Sequence, residues 1–344
     1  MSGDPAGSAA HARTSGERGL LERTFRLREH GTSVRIELLG GATTFATMAY
    51  IAVVNPAILA FAGVPVGPAT TATMLVAAFG SLLMGFYANR PIAVAPYMGE
   101  NAFIAFGLTA MGVTWPEALG AVFVSGIAFG VITLLGVRSW LAASISPSLK
   151  HSFAVGIGLF MALIGLYETG LVASAAEGMP WRALVGPDGE TLGSPPTPLR
   201  IGDLRQPEAL LALGGFLLIA TLLQRRVRGA ILLGMAATAL AGGLLGLAEP
   251  PRSLAAVPFT GDYALSGLAF TLDVPGVLRI EMLPVLLTLF LMGFLDTLGT
   301  LVGVGAAGGL LDEQGDLPQI ERPMLVDAAS CVVAGLAGTT TSGA

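Results

Sequence analysis

Two short stretches put polar and ionisable side chains where an apolar chain has no ordinary use for them. The first is FLDTLGTLVGVG (294–305), in which Asp296 stands in the middle of an otherwise apolar run. A carboxylate at the centre of a membrane helix costs about 2.5–3.5 kcal/mol on insertion scales, so such residues mark ion paths, proton relays or ligand contacts. At helical spacing Gly293, Asp296, Gly299, Thr300 and Gly303 share one face. That small, polar face admits close approach of another element or of a ligand. A purely structural Asp296, bonded to a neighbouring helix, is the alternative.

The second stretch is APYMGENAFIAF (95–106). Pro96 removes a helix hydrogen bond, and Gly99 loosens the turn. The pattern predicts extended backbone over 91–97 and a half-helix from Asn101 onward, its amides and positive partial charge pointing into the membrane. Irregular backbone at that depth is tolerated only where protein or a wet cavity surrounds it. Glu100 and Asn101 then stand on the lip of such a cavity, or Glu100 simply caps the half-helix. An asparagine amide donates and accepts at once, which suits the edge of a heterocycle. Upstream, Thr43, Thr44, Thr47 and Tyr50 precede an Asn-Pro pair at 55–56. Thr43, Thr47 and Tyr50 share a face, where their hydroxyls either line the same cavity or bond back to helix carbonyls. Thr44 joins Gly99, Glu100, Asn101, Asp296 and Thr300 as a candidate for substrate contact, with Asp296 the candidate for proton coupling.

Other chemistries lack the residues they need. His11, His30 and His151 are scattered, Cys331 is the only cysteine, and no metal-ligand spacing is present. No nucleophile–base pair stands out. GVGAAG (303–308) matches a dinucleotide fingerprint in letters only, because a βαβ unit must surround that motif. An apolar span precedes it and the acidic LDEQGD follows. It reads as close helix packing followed by an unwound span end. No cofactor is expected, and a net charge of −5 gives no reason to expect nucleic acid.

The elements that position these residues are membrane spans. Of 344 residues, 53% are hydrophobic and only 12% charged, with 47 glycines. A soluble surface needs about 25% charged residues, so this surface faces lipid. Apolar runs of span length fall at 37–62, 68–88, 91–111, 116–137, 149–173, 207–224, 229–248, 283–305 and 323–338, and a tenth begins at 339. The stretches 174–206 and 250–281 read as loops with some short strand. With the N-terminus inside, thirteen of the 18 basic residues fall on the cytoplasmic side, RRVRG (225–229) being the clearest anchor. The first 36 residues carry six arginines and no apolar core, so they are a cytoplasmic tail and not a secretory signal.

AAFGSLLMGF (77–86) and AASCVVAGLA (328–337) resemble each other, and each leads into an unusual segment, APYMGENA and GTTTSGA. Seven spans separate them, and an odd offset reverses direction, which makes the halves inverted repeats. Transporters with such repeats bind substrate where corresponding helices are broken. Small residues in packed membrane helices are the plainer explanation.

FRLREHGTSVRIELLGGATTFATMAYIAVVNP, ANRPIAVAPYMGENAFIAF, RRVRGAILLGM and FLDTLGTLVGVGAAGGLLDEQGDLPQIERPMLVDAASCVVAGLAGTTT together resemble the AzgA-like branch of the nucleobase–cation symporter 2 family, from about residue 20 to the last residue. The resemblance implies an all-α polytopic fold of fourteen spans in two inverted sevens, with extended segments at spans three and ten. It implies a core domain from spans one to four (37–138) and from 283–344, where spans eight, nine and the start of ten lie. Spans five to seven (149–248) are then part of a gate domain. It further implies elevator-type import of guanine, hypoxanthine or adenine with protons, in the cell inner membrane. Partners are thus a purine nucleobase, protons and the lipid bilayer, and a homodimer is left open. The family's G-x-N motif falls on Gly99 and Asn101 and its eighth-span acid on Asp296. Some members carry a further acid three residues earlier, where this chain has Gly293. The family's tenth-span glutamate would follow Ala344, so the expectation is a C-terminally truncated chain, with an inactive fragment of such a permease as an alternative to a working carrier. The same fold carrying uracil, xanthine or an anion is the alternative carrier, and a channel or membrane enzyme the alternative class.

Overall fold

A computed structural model describes residues 20–27, 29, 31–136, 147–175, 199–227, 229–247, 257–312 and 317–344. Most of the N-terminal tail, loop residues 176–198 and 250–256, and Arg228 of the basic anchor lie outside the described residues. The main helices are α1 (Val34–Met48), α2 (Ile51–Leu59), α3 (Val66–Leu83), α4 (Met98–Ala102), α5 (Trp115–Leu134), α6 (Pro147–Glu168), α7 (Pro207–Gln224), α8 (Ala230–Leu244), α9 (Leu283–Ala307) and α10 (Glu321–Ala337). Among the described residues, five stretches are long and apolar enough to cross a membrane: Val34–Ala62, Val66–Ala88, Trp115–Leu134, Pro207–Gln224 and Ile280–Ala307. Large apolar side chains point outward along them, among them Phe45, Phe216 and Leu287. An exterior of that kind is stable in lipid, not in water.

Helix ends follow their sequence signals. Ser33 caps α1, its Oγ accepting from the Ile36 N–H. Glu117 accepts from both the N–H and the hydroxyl of Thr114 at the start of α5, and its other oxygen pairs with Arg279. Gly338, at φ 93°, ends α10 in a left-handed turn that a side chain would strain. The expected 37–62 span is two helices meeting at Ala49 and Tyr50, with Pro56 inside the second. Thr43 and Thr47 bond back to the carbonyls of Leu39 and Thr44.

Glycines set how closely helices approach. On α10, a Cβ at Gly335 would lie 2.9 Å from the Leu119 carbonyl of α5, and one at Gly126 of α5 would lie 2.9 Å from the Val332 nitrogen. The two backbones are therefore nearly in contact. The α7–α8 hairpin uses the same device, with Gly215 against Thr238 and Gly234 against Ile219. Two apolar clusters result. One gathers Val76, Leu119, Val122 and Leu289, the other Met84, Phe129, Phe294 and Met324. Buried Ser125 on α5 and Ser330 on α10 lie between the members that these helices give to each cluster. A polar belt thus separates the two.

Both unusual segments cross this belt. After α3 the chain makes a wide turn at Met84–Ala88, then runs extended to Tyr97, including β1 (Ala95–Pro96). Ser81 holds this run against α3, accepting from the Val94 N–H at 3.0 Å and facing its carbonyl. The half-helix starts at Met98, three residues before the predicted Asn101. Tyr97, just past Pro96, takes the extended N-cap conformation, so Gly99, Glu100 and Asn101 all fall in the helix. After Gly338 the chain is extended again, and β4 (Ser342–Gly343) pairs antiparallel with β1, Ala95 opposite Gly343 and Pro96 opposite Ser342. A second small ribbon joins β2 (Val172–Ser174) to β3 (Leu199–Ile201), around the expected 174–206 loop. Gly303 and Gly305 of the G-x-G-x-x-G match lie within α9, which unwinds only at Gly308. Among the described residues no strand leads into that helix, and the motif lies in its last turns rather than in a strand-to-helix turn, so it does not have the form of a phosphate loop.

Candidate functional site

The first turn of α4 puts Glu100 and Asn101 into the polar belt, and both are wholly buried. Glu100 does not cap its helix; Tyr97 holds that position. Neither carboxylate oxygen of Glu100 has a hydrogen-bond partner among the described residues, and nor does Asn101 Oδ1. A buried polar atom without a partner costs about 1–3 kcal/mol, more when charged, so three on adjacent residues call for a physical reason.

Helix α9 supplies the facing wall. A Cβ on Gly293 would lie 3.4 Å from Glu100 Oε1, so the glycine is where α9 meets this carboxylate. Asp296, half-buried one turn on, is near enough to Glu100 for the two carboxylates to repel. Thr300 follows after another turn and is also half-buried. Gly299 and Gly303 extend the small face, but a Cβ on either would meet open space. That part of the face is not a helix–helix contact.

Four further groups complete the centre, and sequence reasoning gave none of them a role. Tyr97 Oη lies 2.6 Å from Thr297 Oγ1 and donates to Asp327 Oδ2 at 3.1 Å. Asp327 on α10 is wholly buried. Thr341 is buried in the second extended segment, and its carbonyl accepts the Tyr97 N–H at 3.0 Å. The rule that exposed Asp296, a carboxylate inside a span, applies equally to Asp327. The void beside Gly293, Ser125 and Thr341 is about 10 Å³, room for no more than a water.

Thr44 lies elsewhere. It lines a separate cavity of about 720 Å³ between α1, α3 and the extended run, with Thr73, Ser81 and Arg90. Glu100, Asn101, Asp296 and Thr300 do not line that cavity. The structure therefore groups Gly99, Glu100, Asn101 and Asp296, with Thr300 at the margin, and sets Thr44 apart. Among the described residues no cluster of His, Cys, Asp and Glu has the form of a metal site. The centre consists mainly of hydrogen-bond acceptors, so it fits a ligand that brings donors.

A family model described as a permease family matches residues 35–343. The adenine permease AdeP of Escherichia coli is 38% identical over 336 residues, 95% of this chain and 68% of its own length. The guanine/hypoxanthine permease PbuG of Bacillus subtilis is 37% identical over 333 residues, 94% of this chain and 70% of its own. The nucleobase transporter PlAzg2 of Paenibacillus larvae is 43% identical over 141 residues, 41% of this chain and 28% of its own. The apolar spans, the buried polar centre between broken segments and these matches agree: the chain belongs to this permease family, in its AzgA-like branch, and is a multi-pass membrane transport protein, not an enzyme.

Proposed function

We propose that the protein imports purine nucleobases by proton symport, with the base held in the polar belt by Glu100 and Asn101 and the proton carried by Asp296. One observation carries this reading: Glu100 and Asn101 are wholly buried yet leave three acceptor oxygens unpaired among the described residues. A purine brings ring and exocyclic N–H donors that match such acceptors, and flat faces that fit between apolar walls. The names of the relatives, adenine permease and guanine/hypoxanthine permease, favour the same class. Protonation of a carboxylate removes the cost of carrying charge through lipid, which gives Asp296 a reason to exchange a proton in each cycle.

Alternating access follows as part of the proposal. Residues 37–138 and 283–344 act as a core that moves with the substrate, and 149–248 belong to a gate against which it slides, with the N-terminus cytoplasmic in the inner membrane. The two broken segments are the corresponding parts of inverted repeats. Their β1–β4 pairing and the contact of Gly80 on α3 with Ser330 on α10 favour this. The test is uptake of radiolabelled hypoxanthine and adenine into cells that lack their own purine carriers. Saturable uptake, lost with a protonophore and inhibited by adenine, guanine and hypoxanthine but not by uracil or xanthine, is expected. Uptake indifferent to the proton gradient would overturn the coupling, and preferred transport of uracil or xanthine would overturn the substrate.

A further inference from the structure

Asn55 is wholly buried in α2, and its side chain bonds none of the groups assigned above to the purine. Both hydrogens of its amide are used. Nδ2 donates to Thr73 Oγ1 of α3 at 2.8 Å and to Thr339 Oγ1 at 2.9 Å. Its Oδ1 accepts from the Thr340 hydroxyl at 3.1 Å. The Thr73 and Thr339 hydroxyls lie 3.1 Å apart and close the ring. One amide thus ties α2 to α3 and to the start of the second extended segment. A buried polar network of this kind favours one geometry, because rearranging it leaves the amide hydrogens of Asn55 unpaired.

Two consequences reach the site. The Asn55 backbone carbonyl faces Asn101 Nδ2 at 3.5 Å. A carbonyl selects the NH₂ end of a facing amide, since two oxygens would repel. Asn101 Oδ1 is therefore turned the other way, where it has no partner among the described residues. Thr341 follows Thr340 directly; its Oγ1 is buried, faces the Glu100 carboxylate and has no partner within hydrogen-bond geometry among the described residues. We infer that Asn55 is a positioning residue for substrate recognition: its carbonyl and its hydroxyl ring turn Asn101 and Thr341 so that their oxygens face the base. This rests on the reading that Asn101 touches the purine. It adds that the Asn55 side chain, by fixing α2 against α3 and the second extended segment, holds in place the backbone carbonyl that decides which end of Asn101 the purine meets.

The test compares Asn55→Ala, Asn101→Ala and the double variant in the protein expressed in carrier-deficient cells. Unlabelled adenine, guanine and hypoxanthine compete against labelled hypoxanthine, with membrane abundance measured in parallel. Asn55→Ala should raise the apparent KM about tenfold and change the order of competition, with transport capacity per molecule nearly kept. The double variant should lose less than the sum of the two single losses, because part of what Asn55 does goes through Asn101. An unchanged KM and order in Asn55→Ala, or losses that add in the double variant, would overturn the inference. If Asn55→Ala does not reach the membrane, the pair Thr340→Val and Thr340→Ser decides. The valine variant should shift the competition order and the serine variant restore it; equal behaviour of the two counts against the inference. An Asn101→Ala variant with an unchanged profile would instead refute the substrate site itself, so the two failures are distinct.

Discussion

The phenol of Tyr97 and the carboxylate of Asp327 are joined by a 3.1 Å hydrogen bond across 230 positions of sequence. Tyr97 is the residue at which the extended run becomes α4, and Asp327 lies within α10. The same phenol meets Thr297 of α9 at 2.6 Å. One hydroxyl therefore fastens the start of the half-helix to two other spans, next to Glu100 and Asn101.

Tyr97→Phe removes that hydroxyl with little change of shape. Buried Thr297 and Asp327 each lose a partner, at a cost of about 1–3 kcal/mol for each group left unpaired. The variant should unfold at lower temperature in detergent than the parent, and its purine uptake should fall with it. A melting temperature equal to the parent's would mean that the bond does not hold the segment.

Asp296→Asn keeps the shape of the side chain and removes its exchangeable charge. With the variant present in the membrane at normal abundance, purine accumulation driven by an imposed pH gradient should be abolished. Normal accumulation would show that the proton is carried elsewhere, and Glu100 and Asp327 would be the groups to try next.

Apolar helices were legible where lipid imposes its simple rule: helix α7 occupies 207–224, the run read from hydropathy alone. Asp296 and Glu100 were legible for the opposite reason, as charges that lipid should exclude. Asp327 is the same kind of exception, but Glu321 and Arg322 begin its helix, and in so polar a start a third charge does not stand out. The Asn-Pro pair at 55–56 was visible in the sequence, whereas the ring that Asn55 closes was not. That ring needs hydroxyls 18 to 285 positions away, and no local pattern carries such pairings. The β1–β4 register is hidden in the same way, since two-residue strands have no periodicity to read. Thr44, read from the sequence as a candidate beside Glu100 and Asn101, lies on a cavity that those two residues do not line.

The glycines of the membrane helices fall into two kinds. Gly335 brings α10 against the backbone of α5, while Gly299 on α9 faces open space. Gly335→Val should therefore cost about 1–3 kcal/mol through forced displacement of α5, read as a lower melting temperature and less folded protein in the membrane. Gly299→Ala should leave stability unchanged or slightly improve it, because alanine restricts the helix less unfavourably than glycine. Equal sensitivity at the two positions would argue against close packing of α5 on α10.

Gly293 is of a third kind, since what it faces is a carboxylate. A Cβ there would lie 3.4 Å from Glu100 Oε1, which is tight but tolerable, and anything longer must enter the space Glu100 occupies. Gly293→Asp would set a second acid against Glu100 with Asp296 already near. Among the described residues no Lys, Arg or His pairs with these carboxylates. The variant should be destabilised both by crowding and by repulsion. Glu100→Gln separates the two causes, because it removes charge and keeps size. Glu100→Gln should recover much of the melting temperature lost in Gly293→Asp, and none of that lost in Gly293→Leu, where only crowding acts. Coupling between residues in contact is typically about 0.5–3 kcal/mol, large enough to read in detergent. Equal recovery in both backgrounds, or recovery in neither, would mean that Glu100 and residue 293 do not interact through charge, and would remove the electrostatic part of the site described here.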